Sequence, residues 1–155
     1  MNGVISISGM GIICAIGNNQ QEVLDALKKK KSGIGKMKYL PSVHTDIPVG
    51  EIKLSTEEMK QMLGISGDEP VSRTSVMGAI AVREALQQAG IEDVSGKRVA
   101  LISGTTVGVM DVTEQLFEKT GTDPELLGMP HSHECGRSTE EIALYAGLQG
   151  QLLTL

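Results

Sequence analysis

Residues 72–102 of this chain read SRTSVMGAIAVREALQQAGIEDVSGKRVALI. Ser72 is a preferred helix N-cap, and apolar side chains then recur on nearly every side until Gly90. This pattern predicts a long helix with little of its surface in water. Residues 99–102 form an uninterrupted apolar run, which is typical of a strand in a parallel sheet that is covered on both faces.

Further elements alternate along the chain. Residues 4–8 (VISIS) predict a strand, and a helix is expected from Asn18 or Asn19 until Gly33 stops it. That helix is expected to bury one apolar face, made of Val23, Leu24 and Leu27. Residues 49–52 could form a short edge strand.

Two capping boxes predict the starts of two more helices. The first begins at Ser55 and predicts a short helix, closed by Gly64, with three apolar side chains turned inward: Met59, Met62 and Leu63. The second begins at Ser138 and predicts a helix that stops at Gly147. A helix over residues 109–121 and a final strand over 152–155 complete the pattern. The alternating order predicts one α/β domain over residues 1–155, with a mostly parallel sheet and helices on both faces.

Composition excludes several classes of protein. The 155 residues carry 14 basic and 19 acidic side chains, for a net charge of -5, and only three aromatic ones, which argues against a nucleic-acid partner. Cys14 and Cys135 are too few for a disulfide framework. The apolar stretch 4–16 is too short to span a bilayer, so we expect a reduced, cytoplasmic protein without a membrane span.

Two glycine-rich loops are candidate ligand sites. Gly9-Met10-Gly11 follows a predicted strand, as in the dinucleotide fingerprint, but Cys14 stands at the third glycine position and the next helix starts too late. A tight turn or close backbone approach is the favoured interpretation. Residues 104–108 (GTTVG) join a strand to a helix and are equally compatible with a ligand-facing loop or a plain turn.

Side chains that could bind a metal ion lie close together at one place in the sequence. His131, His133 and Cys135 lie close together, with Cys14 as a conceivable fourth ligand, but a second pair of ligands at a distance is missing. Cys135 paired with either histidine as a nucleophile is also disfavoured by the spacing. Cys14 is expected to be an inert buried thiol. We therefore predict no metal, no cofactor and no catalytic set within this chain.

Four segments in collinear order resemble β-ketoacyl-acyl-carrier-protein synthases, which have the thiolase-like fold. Residues 4–18 (VISISGMGIICAIGN) resemble the opening V-x-I-T-G-M-G pattern, and residues 31–34 (KSGI) resemble G-K-S-G-I. Residues 72–90 are similar to the long buried helix, and residues 99–108 are similar to the second strand with its S/T-G-x-G loop. Residues 142–150 (IALYAGLQG) resemble I-A-x-x-Y/F-G-L-x-G-P-N.

The resemblance implies a decarboxylative Claisen condensation of acyl and malonyl thioesters carried by an acyl carrier protein. The family's nucleophilic cysteine would follow the strand at 151–155, so the chain is expected to be an N-terminal part that is inactive alone. The resemblance also implies that Val107 gates the acyl pocket and that residues 129–135 lie near it, at the interface of a homodimer or a ketosynthase heterodimer.

Two departures from the family pattern leave alternatives open. Gln151 replaces the usual proline, and the loop at 68–70 is acidic where relatives that dock the acidic carrier tend to be basic. A non-catalytic, ketosynthase-like partner subunit is one alternative. A stand-alone nucleotide- or metabolite-binding module that uses the glycine-rich loops is the other.

Overall fold

The computed structural model describes residues 4–40, 42–67, 69, 71–105, 110 and 135–155. These residues form helices α1 (Gln20–Lys28), α2 (Thr56–Leu63), α3 (Arg73–Gln88) and α4 (Cys135–Ala146) and strands β1 (Gly35–Lys36), β2 (Pro48–Val49), β3 (Ala100–Ser103) and β4 (Gln151–Thr154). β1 pairs with β2 antiparallel, and β3 pairs with β4 parallel. The predicted α/β class is confirmed. The helix predicted at 109–121 lies outside the described residues except for Met110.

The core lies between α2 and α3, and local capping explains where both helices begin. The Ser72 hydroxyl accepts a hydrogen bond from the Ser75 N–H (3.0 Å), so α3 starts where the sequence predicts. Ser55 and Glu58 form the predicted capping box of α2. Met59 of α2 is fully buried against the buried N-terminal half of α3.

Helix α4 crosses α3 at a glycine. A Cβ on Gly78 would lie 2.5 Å from Cδ1 of Ile142, so the two helices approach closely because this position has no side chain. Nearby, Arg83 Nε donates to the Tyr145 carbonyl oxygen (2.9 Å), and the Tyr145 hydroxyl donates to Glu69. These bonds join α3, α4 and the loop after α2.

The parallel pair β3–β4 has helix α4 on one face. Leu101 and Ser103 are half-buried on that face, while Ile102 (61% exposed) and its neighbour Leu153 (52% exposed) point to the other. The sequence predicted a strand covered on both faces. Among the described residues, the second face has no layer packed on it.

Several expectations about burial and boundaries were wrong. Residues 4–8 form no strand, because no described strand pairs with them, and Val4 is 94% exposed. Leu24, Leu27 and Met62 are exposed instead of buried. Helix α1 ends at Lys28, well before Gly33, which instead packs closely against the Ala15 carbonyl oxygen.

Candidate functional site

The carboxyl ends of β3 and β4 meet at one edge of the sheet. The Leu155 N–H donates to the Ser103 carbonyl oxygen (2.8 Å), and the Thr105 N–H donates to the Leu155 carbonyl oxygen (3.4 Å). The pairing therefore continues beyond the strands into Gly104 and Thr105, the start of the glycine-rich loop 104–108. Open α/β proteins place their ligands at edges of this kind.

Helix α4 starts at the same edge. Its Thr139 hydroxyl is hydrogen-bonded to the Thr154 hydroxyl of β4 (2.7 Å), and the Gly136 backbone lies beside that same hydroxyl. Ser138 and Thr139 are almost completely buried. The predicted capping box at Ser138 is therefore wrong: α4 begins three residues earlier, at Cys135, and its serine and threonine face inward instead of capping the helix.

A charged pair, Arg137 and Glu141, joins the first two turns of α4. Arg137 Nε donates to Glu141 Oε1 (3.0 Å), and this bond, opposed by burial and helped by the charges of Glu141 and Glu140, raises the pKa of Arg137. Glu141 is buried, and its second carboxylate oxygen has no hydrogen-bond partner in the described part of the chain. One turn further on, burial and then the bond to Glu69 raise the pKa of Tyr145.

The described residues of this edge carry neutral hydroxyls, and those of Thr139 and Thr154 are bonded to each other. They hold no group of three or more His, Cys, Asp or Glu side chains arranged to bind a metal ion. Val107, His131, His133 and the rest of 129–134 lie outside the described residues, and Cys135 is described only as the first residue of α4. The metal, nucleophile and acyl-pocket hypotheses for these positions stay predictions.

Gly9-Met10-Gly11 packs along α3, so the side of these glycines that faces the helix has no space for a ligand. A Cβ would lie 2.1 Å from the Ala85 carbonyl oxygen at Gly9 and 1.8 Å from the Ala81 carbonyl oxygen at Gly11. The Met10 N–H donates to Gln88 Oε1 (2.7 Å). The close backbone approach is confirmed as the reason for both glycines.

The Glu84 carboxylate accepts the backbone N–H groups that a bound anion would need as hydrogen-bond donors. It accepts hydrogen bonds from the Ile12 N–H and from the Gln20 N–H in the first turn of α1, each at 2.8 Å. The sequence analysis missed this role. The available signal was a pair of polar residues, Glu84 and Gln88, four positions apart on one face of the helix.

Cys14 and Glu51 also depart from expectation. Cys14 is a free, half-buried thiol, not a fully buried one, and its backbone forms a short β-bridge to Gly17.

Glu51 is almost fully buried, and its carboxylate accepts three consecutive N–H groups of residues 38–40 at 2.6–2.8 Å. Burial raises the pKa of Glu51, but these bonds and the charge of Arg73 together lower it below its ordinary value. No local pattern marked Glu51.

None of the helices in the described ranges is long and apolar enough to cross a membrane. Residues 2–155 match the family model of the beta-ketoacyl synthase N-terminal domain.

Two curated relatives and one solved structure are similar to the chain. The 3-oxoacyl-[acyl-carrier-protein] synthase 1 of Haemophilus influenzae is 35% identical over 107 residues, covering 66% of this chain and 25% of that protein. Nodulation protein E of Rhizobium meliloti is 29% identical over 170 residues, covering 97% and 38%. The structure of the ishigamide ketosynthase/chain length factor superposes with a TM-score of 0.73 at 23% identity, covering 96% of this chain and 39% of that one. The chain thus spans about a quarter to two fifths of these proteins.

Proposed function

This chain belongs to the β-ketoacyl synthase family, and we propose on that premise that the protein is a 3-oxoacyl-acyl-carrier-protein synthase of fatty acid or polyketide synthesis. Residues 1–155 would supply one domain, the N-terminal part of the condensing unit. The observation that carries the proposal is the match of residues 2–155 to the family, together with a sheet edge where β3, β4 and α4 converge.

The proposed reaction forms one carbon–carbon bond. A cysteine thiolate attacks the acyl thioester, forms an enzyme thioester and releases the carrier thiol. Malonyl-carrier then loses its carboxylate as CO₂, and the resulting C2 carbanion attacks the enzyme thioester and expels the thiolate. Backbone N–H groups at the carbonyl oxygen would stabilise the developing negative charge. The resemblance puts the cysteine and the two assisting histidines outside residues 1–155.

This chain would contribute pocket surface instead of catalytic groups. We propose that Val107 borders the acyl pocket and that residues 129–135 lie near it at a subunit interface. The support is positional, because Thr105 and Cys135 are the described residues that flank these segments, and both belong to elements at the β3–β4 edge. The proposed assembly is a dimer, either of identical chains or of two ketosynthase chains, that acts in the cytoplasm with an acyl carrier protein.

The deciding experiment assays the full-length polypeptide that contains residues 1–155. With acyl-carrier and malonyl-carrier thioesters, we expect 3-oxoacyl product and CO₂ in equal amounts, both lost when the cysteine that follows β4 is changed to alanine. Val107→Trp is expected to reduce the use of long acyl chains more than short ones, with Val43→Trp, a fully exposed loop position, as the control. A full-length protein that has this cysteine but makes no product would refute the proposal.

A non-catalytic partner subunit is the remaining alternative within the family. It would carry a residue such as glutamine where the nucleophile belongs, and it would raise the activity of a second ketosynthase chain without condensing thioesters itself. The nucleotide-binding alternative loses its support at Gly9 and Gly11, which pack against α3. Calorimetric titration with NAD or ATP is expected to show no saturable binding.

A further inference from the structure

Two threonine hydroxyls join the N-terminal part of α4 to the last residue of β4. The Oγ1 atoms of Thr139 and Thr154 lie 2.7 Å apart, and Thr139 is only 1% exposed. The backbone of α4 passes over this threonine pair at Gly136, where an added Cβ would lie 3.9 Å from Thr154 Oγ1. Water therefore has little access to the helix side of the bond.

The threonine pair lies at the carboxyl end of β4, where backbone bonds also hold the chain. Directly after Thr154, the Leu155 N–H donates to the Ser103 carbonyl oxygen (2.8 Å). These bonds hold the strand end sideways against β3. The threonine pair acts in the perpendicular direction, toward α4, because side chains of a strand stand on its faces. The two kinds of bond together fix the position and the direction of the chain at this end.

Stability alone does not require hydroxyls at these two positions. Valine has nearly the shape of threonine, suits a strand as well, and has a similar helix propensity. Replacing both partners of a buried hydrogen bond by apolar groups of the same shape is nearly neutral or even stabilising. Two valines would therefore pack here without loss of stability. What the hydroxyls add is a bond with a defined length and direction between the helix and the strand end.

We propose that Thr139 and Thr154 are positioning residues for condensation, because their bond sets the place of the nucleophilic cysteine that follows β4. This inference rests on the proposed function, which puts the nucleophile after this strand. Neither threonine touches a substrate in this role, and both act through the backbone at the strand end. Misplacing a reacting group by about 1 Å can lower a rate about a hundredfold, so a restraint on this segment has a direct effect on catalysis.

The test removes the hydroxyls from the full-length polypeptide and measures kcat, the KM for both carrier thioesters and the urea unfolding midpoint. Thr139→Val/Thr154→Val is expected to keep the wild-type midpoint, because no hydroxyl is left unpaired. Its kcat should be about tenfold lower with both KM values unchanged, since the change affects the position of the nucleophile and not the binding of substrate. Each single valine variant leaves one hydroxyl without its partner and should lower the midpoint more than the double variant does.

Two controls separate positioning from folding. Thr139→Ser/Thr154→Ser keeps both hydroxyls, so its kcat should stay within about threefold of the wild type, although two lost methyl groups lower its unfolding midpoint. Ile142→Val, one turn further along α4, is expected to lower the midpoint and to keep the wild-type kcat. A merely structural role would instead make kcat follow the midpoint in every variant.

The outcomes for the positioning role and for the proposed function are distinct. If the wild-type protein condenses thioesters and Thr139→Val/Thr154→Val has the same kcat, the positioning role is refuted and the proposed function stands. A kcat that follows the unfolding midpoint across all variants, Ile142→Val included, would also overturn the positioning role. A wild-type protein that makes no product refutes the proposed function, and the positioning role is then wrong with it.

Discussion

Gly11→Ala tests whether the glycine motif serves packing or ligand binding. The added Cβ would lie 1.8 Å from the Ala81 carbonyl oxygen, whereas ordinary van der Waals contacts begin at 3.4 Å. The backbone at Gly11 must therefore move by about 1.6 Å away from α3. The contact atom belongs to the backbone of a helix, which cannot rotate aside as a side chain can.

The expected cost follows from that movement. Overpacking of this kind costs typically about 1–3 kcal/mol. The shift would also stretch the bonds from the Met10 N–H to Gln88 and from the Ile12 N–H to Glu84, which are 2.7 and 2.8 Å long. Because both bonds are exposed to water, each adds only about 0.5–1 kcal/mol. We therefore expect the free energy of unfolding to fall by about 2–5 kcal/mol.

Urea denaturation, followed by far-ultraviolet circular dichroism, measures this loss. Gly35→Ala is the matched control, because no atom lies within 4 Å of its added Cβ and its backbone is not left-handed. The control is expected to stay within about 0.5 kcal/mol of the wild type. If Gly11→Ala were as stable as Gly35→Ala, the motif would not be a packing feature and the reasoning would fail.

Three further predictions concern Glu51, Ser55 and the contact between Gly78 and Ile142. Glu51→Gln should lower stability by about 2 kcal/mol at pH 7, because the carboxylate accepts three N–H groups. Since the folded pKa of Glu51 is lowered, its stabilisation is present above the ordinary value of 4.5 and is lost as pH falls through the folded pKa, so melting temperatures of the two proteins should converge in acid. Ser55→Ala should cost about 1 kcal/mol in the same denaturation assay, because the capping bond to the Glu58 N–H is lost; no loss would contradict the cap. Gly78→Ala should cost about 1–3 kcal/mol and Ile142→Val about 1 kcal/mol, but the double variant less than their sum, because the valine removes Cδ1, the nearest of the atoms that the new Cβ meets; strict additivity would contradict this contact.

The sequence predicted best the features that depend on neighbours in the chain. The capping box at Ser55, the N-cap at Ser72 and the left-handed glycines at 64 and 147 all involve groups within a few residues. The residues that form each of these features therefore all lie in one short stretch of sequence. The parallel pairing of the last two strands was also predictable, because an α/β order with long connections leaves little choice.

Most of the failures depend on distant neighbours. Residues 4–8 have a strand's composition, but a strand exists only with a hydrogen-bonding partner, and the described chain provides none. Ser138 begins a capping pattern, yet α4 starts earlier and Thr139 turns toward Thr154 of a different element. Glu51 is buried because a loop folds over it, which its local sequence does not encode.

The proposed site at the β3–β4 edge also depends on residues that are distant in the sequence. Its edge is held from one side by α4, through Thr139 and Thr154, while the opposite face of the same two strands exposes Ile102 and Leu153. An apolar sheet face of this kind is stable in water only when another layer covers it. The relatives are roughly two and a half to four times as long as the part that matches this chain, so they have further chain available for such a layer. The edge with its hydroxyls and the uncovered face belong to the same two strands. A condensing site at this edge therefore needs a further layer of chain, beyond the described residues, to cover that face.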